Sequence, residues 1–270
     1  MRIAPLVLVV FAACAPSEDH GPPLAATYAI SRIDLPTDAD ADEFGFDAGG
    51  TGSARDNTFG LALALVSGYF GVDMDAATRD ALASGDIAVT VAISTDSTEN
   101  SDAAVLQIGD ARIAGTITDG LFSGSGGTFP LPFAIADGNV LAPLLVDAQV
   151  RADGITADGI ADLAIAGIFD ARYLETDVAP ALAQLLQGLV ARDCTGPSTF
   201  ASECGCTNDS PGLSATQVLD TNMDCTITAD EILANQQYQS IFVPDICTLS
   251  GGCPGNDAMS FGVHAVAQGQ

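Results

Sequence analysis

The 270-residue chain carries 35 acidic against 8 basic residues, the basic ones all Arg, for a formal net charge of −27. So one-signed a chain excludes nucleic acid as a partner, because a phosphate backbone is bound through clustered Lys and Arg. An apolar content of 48% places it among chains that fold around a core rather than among disordered ones.

Met1 and Arg2 precede an apolar run, Ile3 to Ala13, that is too short to span a bilayer and reads as a secretion signal over 1–13. The run closes as Phe11, Ala12, Ala13, Cys14, which resembles the lipobox of bacterial lipoproteins. That resemblance implies a lipid-modified Cys14 with the membrane as its partner. With Ala15 in place of Asp, it also implies an outer-membrane location; the alternative is a secreted chain. Residues 14–27, with Pro16, Gly21, Pro22 and Pro23, are expected to form the anchor and its tether.

Residues 28–193 are expected to form an α+β domain, an antiparallel β-sheet body with covering helices. Tyr28 to Leu35 alternates as a strand does, and an acidic loop follows. Alanine content favours a helix over Asn57 to Phe70, and a second helix is expected over Ala76 to Ala83, ended by Gly85. Ile87, Val89, Val91 and Ile93 alternate as a strand. Further strands are expected within Ile108 to Ile117, Thr128 to Ile135, Leu144 to Arg151 and Ile160 to Phe169, with turns at Asp119-Gly120, Asp137-Gly138, Asp153-Gly154 and Asp158-Gly159. Val178 to Arg192 carries Leu182, Leu185, Leu186, Leu189 and Val190 on one helical face, with Asp177 as its cap, and is expected to cover the sheet.

Residues 194–270 hold six cysteines, Cys194, Cys204, Cys206, Cys225, Cys247 and Cys253. In an exported chain they are expected to form three disulfides, with the pairing open. Zinc binding by Cys204, Cys206, Cys247 and Cys253 is disfavoured, since a single residue separates Cys204 from Cys206.

One constellation carries chemistry. Asp220, Asn222 and Asp224 stand at positions 1, 3 and 5 of an EF-hand-like loop, Thr226 at 7, Thr228 at 9 and Glu231 at the bidentate position 12. Such a loop presents alternate oxygens to Ca2+, a hard cation. Position 6, normally Gly, is Cys225, which strains a positive-φ turn unless a disulfide holds it from outside. Thr228 and Glu231 also form a capping box for a helix from Ala229 to Phe242, and Ser214 with Gln217 one for a short helix ending near Leu219. A second ion site is conceivable at Asp38, Asp40, Asp42 and Asp47, where alternate Asp side chains can converge.

The stretch Leu219 to Asp245, the closing 256–263 segment that begins Asn256-Asp257, and Asp56-Asn57 before Phe59-Gly60 resemble uncharacterised predicted lipoproteins of myxobacteria and related bacteria. The resemblance implies an anchored calcium-binding protein and names no reaction. The sequence has no phosphate-cradling loop, nucleophile elbow or zinc-protease motif, and its histidines are His20 and His264. The expected function is therefore a membrane-anchored calcium-binding lipoprotein of structural or adhesive role. One alternative is a module that encloses an apolar small molecule between the sheet and the helix from Val178. The other is a carbohydrate-active enzyme with two carboxylates across a cleft.

Overall fold

The computed structural model describes residues 21–37, 39–47, 56–136, 138–198, 204–248 and 255–269, apart from the Asp42 side chain. Strand β1 (Leu24–Asp34) is followed by a 3-10 turn (Ala41–Phe44), helices α1 (Thr58–Phe70) and α2 (Met74–Ser84), and then β2 (Thr90–Thr95), β3 (Ser101–Ile108), β4 (Ala111–Thr118) and β5 (Leu121–Ser125). Short β6 (Phe129–Pro130) and the hairpin of β7 (Phe133–Ala136) and β8 (Asn139–Leu141) precede the long pair β9 (Leu144–Ile155) and β10 (Gly159–Asp170). A π-helical turn (Leu174–Val178) leads into α3 (Ala179–Asp193), α4 (Pro211–Leu219), α5 (Ala229–Ala234) and α6 (Gln236–Ile241), and the chain returns in β11 (Ala258–Gly269).

The sheet closes on itself. Antiparallel neighbours run β10, β11, β1, β2, β3, β4, β5, β9, and β9 pairs back to β10, which makes an eight-stranded barrel with no free edge. Alternation then sorts side chains into an inner and an outer set. Val91 and Ile93, Leu106 and Ile108, Ile113 and Ile117, and Val150 and Ala152 are all buried, while their neighbours along each strand are more exposed, and Val263 and Ala265 are buried on either side of the less buried His264. A bulge in β1 between Ile30 and Arg32 lets Ile33 resume the buried set out of phase. The interior is filled: the Phe122 ring occupies the space that a β-carbon on Gly115 or Gly124 would need.

The two ends of the barrel differ. One is closed by tight connections, including Asp119-Gly120, where both residues have positive φ (51° and 81°) as a two-residue hairpin turn requires. Tyr28 fills that end, its hydroxyl donating to the Thr156 carbonyl in the β9–β10 turn at 2.5 Å. At the other end emerge all three long connections, β1 to β2, β5 to β9 and β10 to β11, and they carry every helix. Phe59 of α1 sits over this mouth. Its ring lies 4.9 Å from Phe169 at the end of β10, 5.1 Å from Phe261 near the start of β11, and 6.1 Å from Phe133 of the β7–β8 hairpin, centroid to centroid. All four rings are buried, and such edge-to-face packing adds about 0.5–1.5 kcal/mol per pair beyond area burial.

Several expectations change. The sheet is a barrel, and the helix from Val178 packs against α4, α5 and the β7–β8 hairpin at its mouth instead of covering a sheet face. That helix begins at Ala179 behind the π-helical turn, so Asp177 is not its cap. Leu24 to Thr27, expected in the tether, belong to β1, and β11 carries the chain back across the boundary expected at 194 to lie between β10 and β1. The run Ile108 to Ile117 spans two strands, because Gly109 turns the chain with φ 55°. Asp153-Gly154 lies inside β9. The helix expected from Ala229 to Phe242 breaks at Asn235, whose extended backbone ends α5 and whose side chain caps α6. The short helix before the loop is capped by Ser210, with Pro211 in its first turn, and not by Ser214.

Candidate ligand groove and the disulfide-linked loop

The expected calcium loop lies between α4 and α5, and its carboxylates order it by accepting hydrogen bonds from the loop's own backbone and hydroxyls. Asp220 accepts from the Asp224 N–H through Oδ1 (3.0 Å) and the Cys225 N–H through Oδ2 (2.8 Å), and Asp224 accepts from the Thr226 N–H (2.8 Å). Glu231, expected as the two-oxygen clamp, spends one oxygen on the Thr221 N–H (3.1 Å) and hydroxyl (3.3 Å). The other takes the Thr228 N–H (3.0 Å) and hydroxyl (2.9 Å). Burial opposes the charge on Glu231, but these hydrogen bonds outweigh it and hold its carboxyl below the usual range. Asn222, Asp224, Thr226 and Thr228 are exposed. From α3, Gln187 fixes the loop from outside, accepting from the Ile227 N–H (2.8 Å) and donating to the Cys225 carbonyl (3.5 Å). No spacing in the sequence pointed to Gln187.

Cys225 does adopt positive φ (64°), and a disulfide to Cys204 holds it, as the strained sixth position required. Cys194 pairs with Cys206, and Cys247 is also disulfide-bonded. Cys253 lies outside the described residues, as does Cys14 with the rest of 1–20. Among the described residues, the group of three His, Cys, Asp or Glu side chains whose ligand atoms fall within 4.8 Å of one another is Cys204, Asp220 and Cys225, a cluster capable of coordinating a metal ion. It is not the acidic set Asp220, Asp224 and Glu231. The loop is ordered by protein donors and a disulfide, so the reading of a calcium-binding lipoprotein of structural or adhesive role is corrected. A closed barrel with a helical cap fits a small-molecule module better, and no single helix among the described residues is long and apolar enough to cross a membrane.

At the second expected ion site, Asp38 and the Asp42 side chain lie outside the described residues. Asp40 accepts from the Thr37 N–H and hydroxyl at 2.6 and 2.8 Å, so it serves the turn before Ala41–Phe44. Asp47 follows that turn, and its carbonyl accepts from Gln149 at 3.4 Å. His264 faces outward from β11 and meets Asp162 of β10 at 2.7 Å.

The helical cap encloses an apolar groove of about 190 Å³. Its walls come from α1 (Leu65, Val66, Tyr69, Phe70), α3 (Leu182, Leu186), the end of α4 (Val218, Leu219), Ile232 of α5, and Tyr238 and Ile241 of α6 with Phe242 after it. The helices present apolar walls because each has turned its stripe toward the others. Two of the polar side chains at the groove, Tyr238 and Asn235, are already engaged, and those of Tyr69 and Gln237 line it as well. The Tyr238 hydroxyl donates to the Leu174 carbonyl (3.2 Å), and Asn235 donates to the Val218 carbonyl while accepting from the Gln237 and Tyr238 N–H groups. Burial, with the Glu175 charge nearby, pushes the Tyr238 hydroxyl pKa upward. A wider depression of about 690 Å³ flanks the β10 end and includes Asp170, Arg172, Tyr173, Thr248 and Asp257. Its charges serve one another: Arg172 forks onto Asp170, and Asp257 accepts from the Thr248 N–H and hydroxyl.

Comparison with known proteins adds nothing to this geometry: no family model, no curated protein and no solved structure matches the chain.

Proposed function

We propose that the protein is a binding module for a small apolar molecule, held in the groove between α1, α3 and the α4–α6 segment. The observation that carries this reading is a concave space lined mainly by hydrocarbon, in which Tyr238 and Asn235 already spend their hydrogen bonds within the protein, so that an apolar guest gains most from entering it. The site lies among the helices at the mouth and not inside the barrel, whose interior is filled. An engineered cavity of about 150 Å³ accepts benzene; 190 Å³ accordingly admits a single substituted ring or a short alkyl chain. With a net charge of −27, the protein favours a neutral guest over an anionic one.

The test is titration of the protein with a neutral alkylbenzene, followed by calorimetry and by NMR of the guest. Saturable binding is expected. It should vanish in Val218→Trp, which places an indole in the groove, and persist in Leu121→Trp, which alters an exposed position on β5. Absence of binding to the parent protein, or equal binding by both variants, would sink the reading.

A further inference from the structure

Cys204, Asp220 and Cys225 come from three separate places, the loop after α3, the C-terminal cap of α4 and the turn before α5, yet their ligand atoms lie within 4.8 Å of one another. The two sulfurs are joined as a disulfide, and Asp220 Oδ2 stands 3.7 Å from Cys204 Sγ. Contacts other than that bond also position these groups. Asp220 is held by the Asp224 and Cys225 N–H groups, Cys225 is held through its carbonyl by Gln187, and Cys204 lies two residues from Cys206, which is tied to α3 through Cys194. Breaking the Cys204–Cys225 bond therefore leaves two sulfurs and a carboxylate converging from supported backbone.

We propose that reduction of Cys204–Cys225 by a dithiol reductant converts this cluster into a binding site for a thiophilic divalent cation of the zinc type, with both sulfurs and Asp220 as ligands. The inference is independent of the apolar groove. In the first step the S–S bond breaks and two electrons and two protons pass from the dithiol, which becomes a cyclic disulfide, to give two protein thiols. The cation then displaces those two protons to solvent and binds the two thiolates. A divalent ion offsets the mutual repulsion of two thiolates and a carboxylate, so its binding and the loss of the thiol protons are coupled. Two sulfurs and one oxygen suit zinc, which binds thiolate and carboxylate at about 2.3 and 2.0–2.2 Å and leaves a fourth position to water. They do not suit calcium, which wants six to eight oxygens.

The experiment uses the full chain, treated with limiting dithiol until peptide mapping shows Cys204–Cys225 open and Cys194–Cys206 intact, then freed of dithiol under anaerobic conditions, with Co2+ as the spectroscopic probe and Zn2+ as competitor. One equivalent of Co2+ should give thiolate-to-cobalt charge-transfer absorption that Zn2+ abolishes, while the oxidised protein gives none. Cys204→Ser/Cys225→Ser should lose the band, Cys247→Ser/Cys253→Ser should keep it, and Asp220→Asn should weaken binding by about tenfold or more. X-ray absorption of the zinc-loaded parent protein provides a reading free of any variant and should show two sulfur neighbours with oxygen completing the shell. The proposal is overturned if the reduced protein gives no band, if the band survives loss of Cys204 and Cys225, if Asp220→Asn binds as the parent does, or if the zinc shell is all sulfur.

Discussion

The Asn57 carboxamide holds the Gly262 backbone on both counts, accepting from its N–H at 2.9 Å and donating to its carbonyl at 3.2 Å across 205 positions of sequence. β1 leaves its ladder with β11 at Asp34, opposite His264, and Asn57 serves β11 two residues further on, on the side where β1 no longer pairs, while β10 still does. The same side chain caps α1 through the Gly60 N–H and reaches the Ala41 carbonyl. Gly262 must lack a β-carbon because one would collide with the Phe44 carbonyl oxygen. Beside this pair, the Thr58 N–H donates to Ser260 Oγ, and Ser260 donates through N–H and hydroxyl to Asp245.

Asn57→Ala removes a helix cap and leaves buried backbone groups without partners, so it should cost about 2–4 kcal/mol in urea unfolding. Asn57→Ser should recover only the capping share, about 1 kcal/mol. Full recovery by Ser would mean that the contact with Gly262 contributes little.

Phe59 and Leu61 share α1 but not its environment: Phe59 is fully buried among aromatic rings, and Leu61 is 38% exposed. Phe59→Ala should lower stability by about 3–5 kcal/mol, whereas Leu61→Ala should stay within about 0.5 kcal/mol of the parent. Comparable losses at both positions would contradict the seating of α1 over the barrel mouth.

Because backbone donors and the Cys204–Cys225 bond order the 220–231 loop, thermal melting in chelator and in millimolar calcium should coincide. Glu231→Gln, which weakens hydrogen bonds to a charged, buried carboxylate, should by contrast cost about 1–3 kcal/mol under either condition. A melting shift that tracks calcium and disappears in Glu231→Gln would restore the ion reading.

Three tyrosines set an alkaline limit. Burial is the main cause that pushes up the pKa of Tyr28, Tyr173 and Tyr238, with Tyr173 at about 12. A folded-state pKa above the unfolded value near 10 means that the folded chain holds these protons more tightly. The stabilisation is complete below pH 10 and declines as pH rises toward 12. Denaturant midpoints should therefore fall across that interval, and Tyr173→Phe should make the fall shallower, although Phe also gives up the hydrogen bond from the Ala142 N–H (2.8 Å).

Local elements were legible where a side chain does its work close in sequence. The alanine-rich run of α1, Gly85 behind α2, the Asp119-Gly120 turn and the Thr228/Glu231 capping box all act within a few residues, and all are found. Closure of the sheet was not legible, since alternation marks which side chains turn inward but not that β9 returns to β10. The calcium pattern misled because an Asp that binds an ion and an Asp that binds loop N–H groups occupy the same spacing. The groove escaped notice for a different reason: its walls are five helices and a trailing phenylalanine, each with an unremarkable apolar stripe, and only their packing creates the space.

The two outermost strands of the described chain are neighbours in the ring, with Tyr28 of β1 opposite Gly269 of β11, and both reach the end closed by tight turns. In a chain that omits residues 1–23, a short flexible linker from 269 to 24 would thus join the two strands without crossing the helical cap, and new ends opened at Asp119-Gly120 would make a circular permutant with the groove intact. By the same geometry, protein immobilised on a surface through either strand would present the apolar groove to open solution.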